Sequence, residues 1–354
     1  MLSDMMNENM IHVKKFLLVP MISGLLVSLM SFAPARHHHC SSEVQDSSEV
    51  RVQDDSILPV IAWFSKRDTM TYWIHDNQWE VNGKDTVMTL GAAAKVMFTV
   101  TDSTRKGYDM EYTFLEFVSD DQIKSEAQNL IGQVMDILNG TTIRFRTDQY
   151  GKIVKYYNLK DIRKQAKEVL TKAISKMPYA DSLRAVGLDS DKLMSMIDSD
   201  DLVDGYTEEI ELLFNYHGDQ YKIGETESHE DATENEYASD TKTDIWLDPE
   251  TYEYGISADV YSYIPREDIK VLLGNLIEYF TDDESAKDVR KGLDTEFDSQ
   301  VTTDGVYNSY VSISYFNDGW PQEVVSQDNI SLGDRQKLKQ KYITWDYRSV
   351  GHSE

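Results

Sequence analysis

The sequence predicts an α+β protein: a mostly antiparallel sheet, read as two related strand–helix–hairpin units, packed on amphipathic helices. Three observations carry that expectation. Apolar residues alternate in short runs punctuated by glycine, as in Val96, Phe98 and Val100 before Gly107, then Tyr112 and Phe114 after it. Between such runs, apolar residues recur at spacings of three and four, the mark of one helix face. The chain also holds 21 tyrosines and 6 tryptophans, a supply that suits strands with one wet face.

At the amino end, Lys14 and Lys15 precede the run FLLVPMISGLLVSLMSFA, Phe16 to Ala33. A positive segment followed by an apolar one is the layout of an export signal. Ala33-Pro34-Ala35 places small residues where a signal peptidase reads, so cleavage is expected between Ala35 and Arg36. Asp4 and Glu8 are unusual upstream of such a signal, which makes Met10 a candidate start. An uncleaved anchor and a lipoprotein at Cys40 are the competing readings. The run is short for a membrane span of about 20 residues and contains Pro20 and Gly24. Cys40 follows His37-His38-His39 where a lipoprotein needs a small residue. All three readings take the chain out of the cytoplasm, to the periplasm, the cell surface or beyond.

Residues 36–57 read as a flexible polar tether. The first unit, 58–158, has strand texture from Val60 to Val118. A helix is expected over Gln122–Leu138 on the stripe Ile123, Ala127, Leu130, Val134 and Leu138, stopped by Asn139-Gly140. Its hairpin is Thr142–Thr147, a turn at Asp148-Gln149-Tyr150-Gly151, and Lys152–Tyr157, with Asp opening and Gly closing the turn. Residues 159–217 read as a helical insertion: Ile162, Ala166, Val169, Leu170, Ala173, Ile174 and Met177 form a stripe ended by Pro178, and further helices fit 189–198 and 202–216.

The second unit, 218–348, is expected to place strands at 219–227, 241–248 and 252–264. Helices follow over Arg266–Phe280 and 284–297, then strands at Tyr310–Phe316, Gln322–Gln327 and Lys341–Arg348 around a turn at Asn317-Asp318-Gly319. Glu225–Thr243 is the most polar internal run and reads as an exposed loop or hairpin tip. The segment from Ile143 to Asp148, with its strand and Asn158, echoes that from Ile313 to Asp318, with its strand and Asn329, which suggests a duplicated unit. At IRFRTDQYGKIVKYYN and SYFNDGWPQEVV the chain resembles a class of exported proteins of Gram-negative bacteria of gut and oral type. That resemblance implies export and a sheet-plus-helix fold, and implies no catalytic residues.

With 62 acidic against 35 basic residues, the formal charge is −27. Such a balance argues against nucleic acid, whose phosphates need basic surfaces, and against docking on anionic membrane lipids. Cys40 is the sole cysteine, so no internal disulfide forms.

Candidate chemistry is sparse, and no cofactor is expected. If Arg36 becomes the free terminus, His38 is the third residue, and a terminal amine, two backbone nitrogens and its imidazole can close a square-planar Cu(II) or Ni(II) site. Asp198, Asp200, Asp201 and Asp204-Gly205 miss the EF-hand spacing and read as acids at a helix start, as do Asp282-Asp283-Glu284. His75, His217, His229 and His352 have no metal-ligand spacing and are expected at the surface or at strand ends. Neither a G-x-S-x-G elbow nor a phosphate-binding glycine loop occurs. Trp63, Tyr72, Trp73 and Trp79 could form a sugar- or lipid-contacting surface, set against ordinary half-buried strand packing.

The functional expectation is a non-enzymatic envelope protein that holds a small apolar or glycan ligand, or an envelope partner, against its sheet. The alternatives are a carboxylate-dependent hydrolase, which needs two converging acids, and a structural or surface-interaction protein with a large exposed patch.

Overall fold

The computed structural model describes residues 56–120, 140–165, 201–233, 237–271, 297 and 301–350. The chain divides into two compact units. One comprises Met1–Asp55, Pro178–Gly205 and Glu267–Ser299, and the other Ser56–Met177, Tyr206–Arg266 and Gln300–Glu354. In the first, the described residues are helical, 201–205, 267–271 and 297, with Ile269 and Phe297 buried. The second holds the sheet.

In chain order the strands are β1 (Ile57–Pro59), β2 (Thr69–Asn82), β3 (Asp85–Thr104), β4 (Gly107–Ser119), β5 (Thr142–Thr147), β6 (Ile153–Tyr156), β7 (Gln220–Lys222), β8 (Gly224–Glu230), β9 (Ser239–Leu247), β10 (Tyr254–Ile264), β11 (Gly305–Tyr315), β12 (Pro321–Leu332) and β13 (Arg335–Ser349), with helix α1 (Asp201–Phe214) before β7. Among the described residues β1 pairs only with β7. The rest form an 11-stranded sheet in the order β6-β5-β4-β3-β2-β13-β12-β11-β10-β9-β8. Every pairing is antiparallel. The strands of 58–158 and those of 218–348 are thus two meanders, joined where β13 lies beside β2.

The antiparallel sheet is as expected, and its central strands are longer. β13 begins at Arg335, six residues before the expected Lys341, because Lys337 and Lys339 broke the apolar pattern. The run Glu225–Thr243 is a hairpin: β8 and β9 pair from Gly224↔Ile245 to Glu230↔Ser239. Of the helices, 202–216 is α1. Residues 159–165 and 266–271 are helical, whereas 122–138, 189–198, most of 162–177 and all but Phe297 of 284–297 lie outside the described residues.

One face of the sheet carries the core. Met70, Tyr72 and Ile74 of β2 continue across the strands into Val96 and Phe98, Met110 and Tyr112, Ile143 and Phe145, and on the other side into Ile343, Val324, Ile313 and Ile256. Each such burial contributes about 1.5–3 kcal/mol. Ile210, Leu213 and Phe214, one face of α1 by their spacing, belong to the same core.

Residues 60–68, where the strand-like texture of the sequence begins, lie outside any strand. Val60, Ala62 and Phe64 are buried and Trp63 is exposed, a period-two pattern, yet they form a strap and no strand. Their amides donate to loops instead: Val60 to the Asp219 carbonyl (3.1 Å), Ala62 to Tyr150 (3.0 Å) and Trp63 to Asp318 (2.9 Å). The two expected turns, Asp148–Gly151 and Asn317–Gly319, therefore meet at one strap. Gly151 and Gly319 have φ of 100° and 82°. A Cβ on Gly151 would lie 2.6 Å from His217, and one on Gly319 would lie 2.3 Å from the Ile61 carbonyl. Only glycine fits both demands.

Candidate functional site

The core face changes character along β13. Ile343 is fully buried in the core, and the residues in phase with it are Lys341, Lys339 and Lys337. Their cross-strand neighbours on β2 are Asp76, Gln78 and Glu80, and on β12 Ser326, Asp328 and Ile330. Lys341 is only 4% exposed. Its Nζ donates to Glu209 Oε1 (2.6 Å) and Glu208 Oε2 (3.1 Å) of α1, with Asp76 Oδ2 at 4.0 Å. Burial alone would lower the Lys341 pKa, but Glu208, Glu209 and Asp76 outweigh it and push it well up. Lys339 Nζ donates to the other Glu208 oxygen (3.4 Å). Burial would raise the Glu208 carboxyl, yet Lys341 and Lys339 hold it down to about 2. A glycosidase acid must stay protonated near neutrality, so Glu208 is unsuited to that role. The cluster pins α1 to the sheet.

The opposite, outer face carries a different chemistry. The pairing register sets three parallel rows across the central strands. One runs His75, Tyr342, Val325; the next Asn77, Gln340, Gln327, Tyr310; the third Trp79, Leu338, Asn329, Asn308. Trp73 lies beyond His75 on the same face, its ring 6.4 Å from the imidazole, which is 6.2 Å from Tyr342. Lys95 sits over the Trp73 ring at 5.3 Å and bonds Asp346 (2.8 Å). The side chains of Asn77, Gln327, Gln340 and Tyr310 make no hydrogen bond among the described residues. The middle row spans four strands, about 14 Å at the usual strand spacing.

A depression of about 400 Å³ lies at the β8–β9–β10 edge, lined by Glu227, His229, Asp240, Lys242, Asp259 and Tyr261 among others. There His229 Nδ1 meets Asp240 Oδ1 at 2.6 Å, and Tyr263 donates to Asp240 Oδ2 (2.8 Å). The imidazole N–H donates to the Asp240 carboxylate, and that bond raises the imidazole pKa. Among the described residues no group of three potential ligands could hold a metal.

The residues singled out from sequence are dispersed. Ala35, Arg36 and His38 lie outside the described residues, as do Asp198, Asp200, His352 and Asp282–Glu284. Asp201 opens α1, in keeping with acids at a helix start. The four aromatics do not form one surface. Tyr72 is buried in the core, Trp63 stands on the strap, and only Trp73 and Trp79 share the outer face. His217 corrects the expectation of surface histidines: it is fully buried. Its ring contacts Phe64, Phe214 and Tyr315, and Nε2–H donates to the Gly319 carbonyl (2.9 Å). Burial lowers its pKa to about 4, against the opposing pull of the Gly319 and Phe214 carbonyls and Asp148. Sequence reading missed Lys337, Lys339 and Lys341, whose period-two spacing in phase with Ile343 was the available signal.

These features define an antiparallel-sheet protein with a charged helix clamp on one face and an amide–aromatic field on the other. No protein-family model matches the sequence, and no curated protein does. Among solved structures the chain is similar to one described as lipid–protein interactions in lipovitellin, at a TM-score of 0.39 and 9% identity, over 82% of this chain and 26% of that one. The chain thus spans about a quarter of that protein's length. A likeness at that level carries no functional argument.

Proposed function

We propose that the chain is an exported, non-enzymatic envelope protein that binds a glycan along the outer face of β2, β13, β12 and β11. The observation that carries this reading is the middle row: Asn77, Gln340, Gln327 and Tyr310 hold amide and hydroxyl groups without a hydrogen-bond partner among the described residues. Flat rings flank the row at His75, Tyr342 and Trp79. Sugars present hydroxyls to amides and C–H faces to aromatic rings, so this alternation suits an extended oligosaccharide better than an apolar molecule. Amides and phenols stay uncharged near neutrality, which favours binding over proton-transfer chemistry.

The test is isothermal titration of the protein with a panel of soluble oligosaccharides. Trp79→Ala and Tyr342→Ala are each expected to weaken the best binder up to roughly tenfold, the worth of one stacked ring. Gln340→Leu, which removes a donor and an acceptor, should weaken it similarly. Absence of binding across the panel, or affinities that ignore all three substitutions, would contradict the reading.

A further inference from the structure

The middle row of the outer face does not stop at Tyr310. Tyr310 stands opposite Asp259 of β10, Asp259 opposite Lys242 of β9, and Lys242 opposite Glu227 of β8. The third row runs on in the same way, from Asn308 to Tyr261, Asp240 and His229. All six residues line the depression of about 400 Å³. Side chains directly opposite one another share a face, so the depression is the far end of the same field. From Asn77 to Glu227 the row crosses seven strands, about 29 Å at the usual strand spacing.

Charge enters only at that end. Over β2, β13, β12 and β11 the three rows hold no carboxylate, lysine or arginine. Over β10, β9 and β8 they reach Asp259, Asp240 and Glu227, and the first row, through Ser312 and Ser257, adds Asp244 and Glu225. Against these stand Lys242 and His229. Lys242 is shared, with Nζ 3.4 Å from Glu225 and 3.8 Å from Glu227. His229 is held by Asp240 at 2.6 Å and faces Asp231 at 3.5 Å. Asp259 meets neutral donors, Asn308 Nδ2 (2.5 Å) and the Tyr261 hydroxyl, and no cation among the described residues. Carboxylates therefore outnumber cations here even with the imidazole charged, and the hollow favours a positive group.

A metal ion does not fit, since no three potential ligands converge among the described residues. An ammonium does, because its three N–H donors can each take a separate carboxylate oxygen. Tyr261, 41% exposed, offers a ring beside it.

We infer that the depression is the terminal subsite of the outer-face track and takes a sugar bearing a free amine, with its ammonium on Asp259 and Glu227 and its ring against Tyr261. The inference rests on the glycan reading of that face. An amino sugar fits better than a basic peptide because the rows leading to the hollow are uncharged. They offer partners to the hydroxyls of a sugar chain and no carboxylate to further lysines.

The test is calorimetric titration of the full chain with an N-acetylglucosamine hexasaccharide and with the same chain freed to the amine at one end sugar, each end in turn. At about pH 6 the amine is charged and the carboxylates are ionised. One of the amine forms should bind roughly tenfold tighter than the fully acetylated chain, the worth of a charge-assisted hydrogen bond. That ratio should approach one in D259N/E227Q, and should shrink for the wild type at about 0.5 M salt. Equal affinity for all three chains, or a preference that survives the substitutions or the salt, would overturn the subsite and leave the glycan reading standing. Binding of none of them would overturn the subsite as well, and the wider oligosaccharide panel then judges the glycan reading separately. An uncharged peptide carrying one lysine that binds as tightly as the amine form would give the hollow to peptides and overturn the assignment.

Discussion

At the scale of single residues, His217 shows how a buried polar group is made tolerable and what it costs. Its Nε2–H finds the Gly319 carbonyl, and three aromatic rings enclose the rest. Charging the ring inside that cage is disfavoured, so its pKa falls to about 4 while the unfolded chain keeps about 6.5. The unfolded state then binds the proton more readily, so stability is full above pH 6.5 and declines as pH drops towards 4. The loss should reach about 3 kcal/mol. Urea titrations of wild type and His217→Phe across pH 4–7 check this: the wild-type slope should flatten in the variant, and equal slopes would remove His217 as the cause. Lys341 makes a second residue-scale prediction. Lys341→Met strands Glu209, itself only 14% exposed, and should cost about 3 kcal/mol in urea unfolding, with part recovered in Lys341→Met/Glu209→Gln.

At the scale of elements, the turns were the most legible features and also the most constrained. Asp148 caps its turn by accepting from the Tyr150 and Lys152 amides, and Asp318 accepts from Trp320. The Asp-to-Gly pattern visible in sequence thus has a physical basis in each. What sequence could not show is that both turns press on the strap and His217. Gly319→Ala should therefore cost about 3 kcal/mol through a positive φ and a blocked Cβ. Gly140→Ala, with φ of 79° and open space around its Cβ, should cost only about 1 kcal/mol. Thermal or urea unfolding separates the two, and equal costs would mean that contact with the strap is immaterial. Strand ends were less legible, since Lys337 and Lys339 read as the close of a pattern when they continue it in a polar phase.

At the scale of the whole molecule, the proposed site exists only because the last strand returns to the first long one. Asn77 and Gln340 are far apart in sequence and become neighbours through the β2–β13 register. No local pattern announces that, so the strands were readable while the outer-face rows were not. A slip of one residue would turn Asn77 and Gln340 to opposite faces and dissolve the row. The most direct test is therefore a register measurement in a Cys40→Ser background. Directly opposed residues lie within disulfide reach, and those four positions away do not. Asn77→Cys with Gln340→Cys should oxidise to a cross-link in the folded protein, while Asn77→Cys with Gln336→Cys should stay reduced. A cross-link in the second pair, or none in the first, would contradict both the joined sheet and the binding surface built on it.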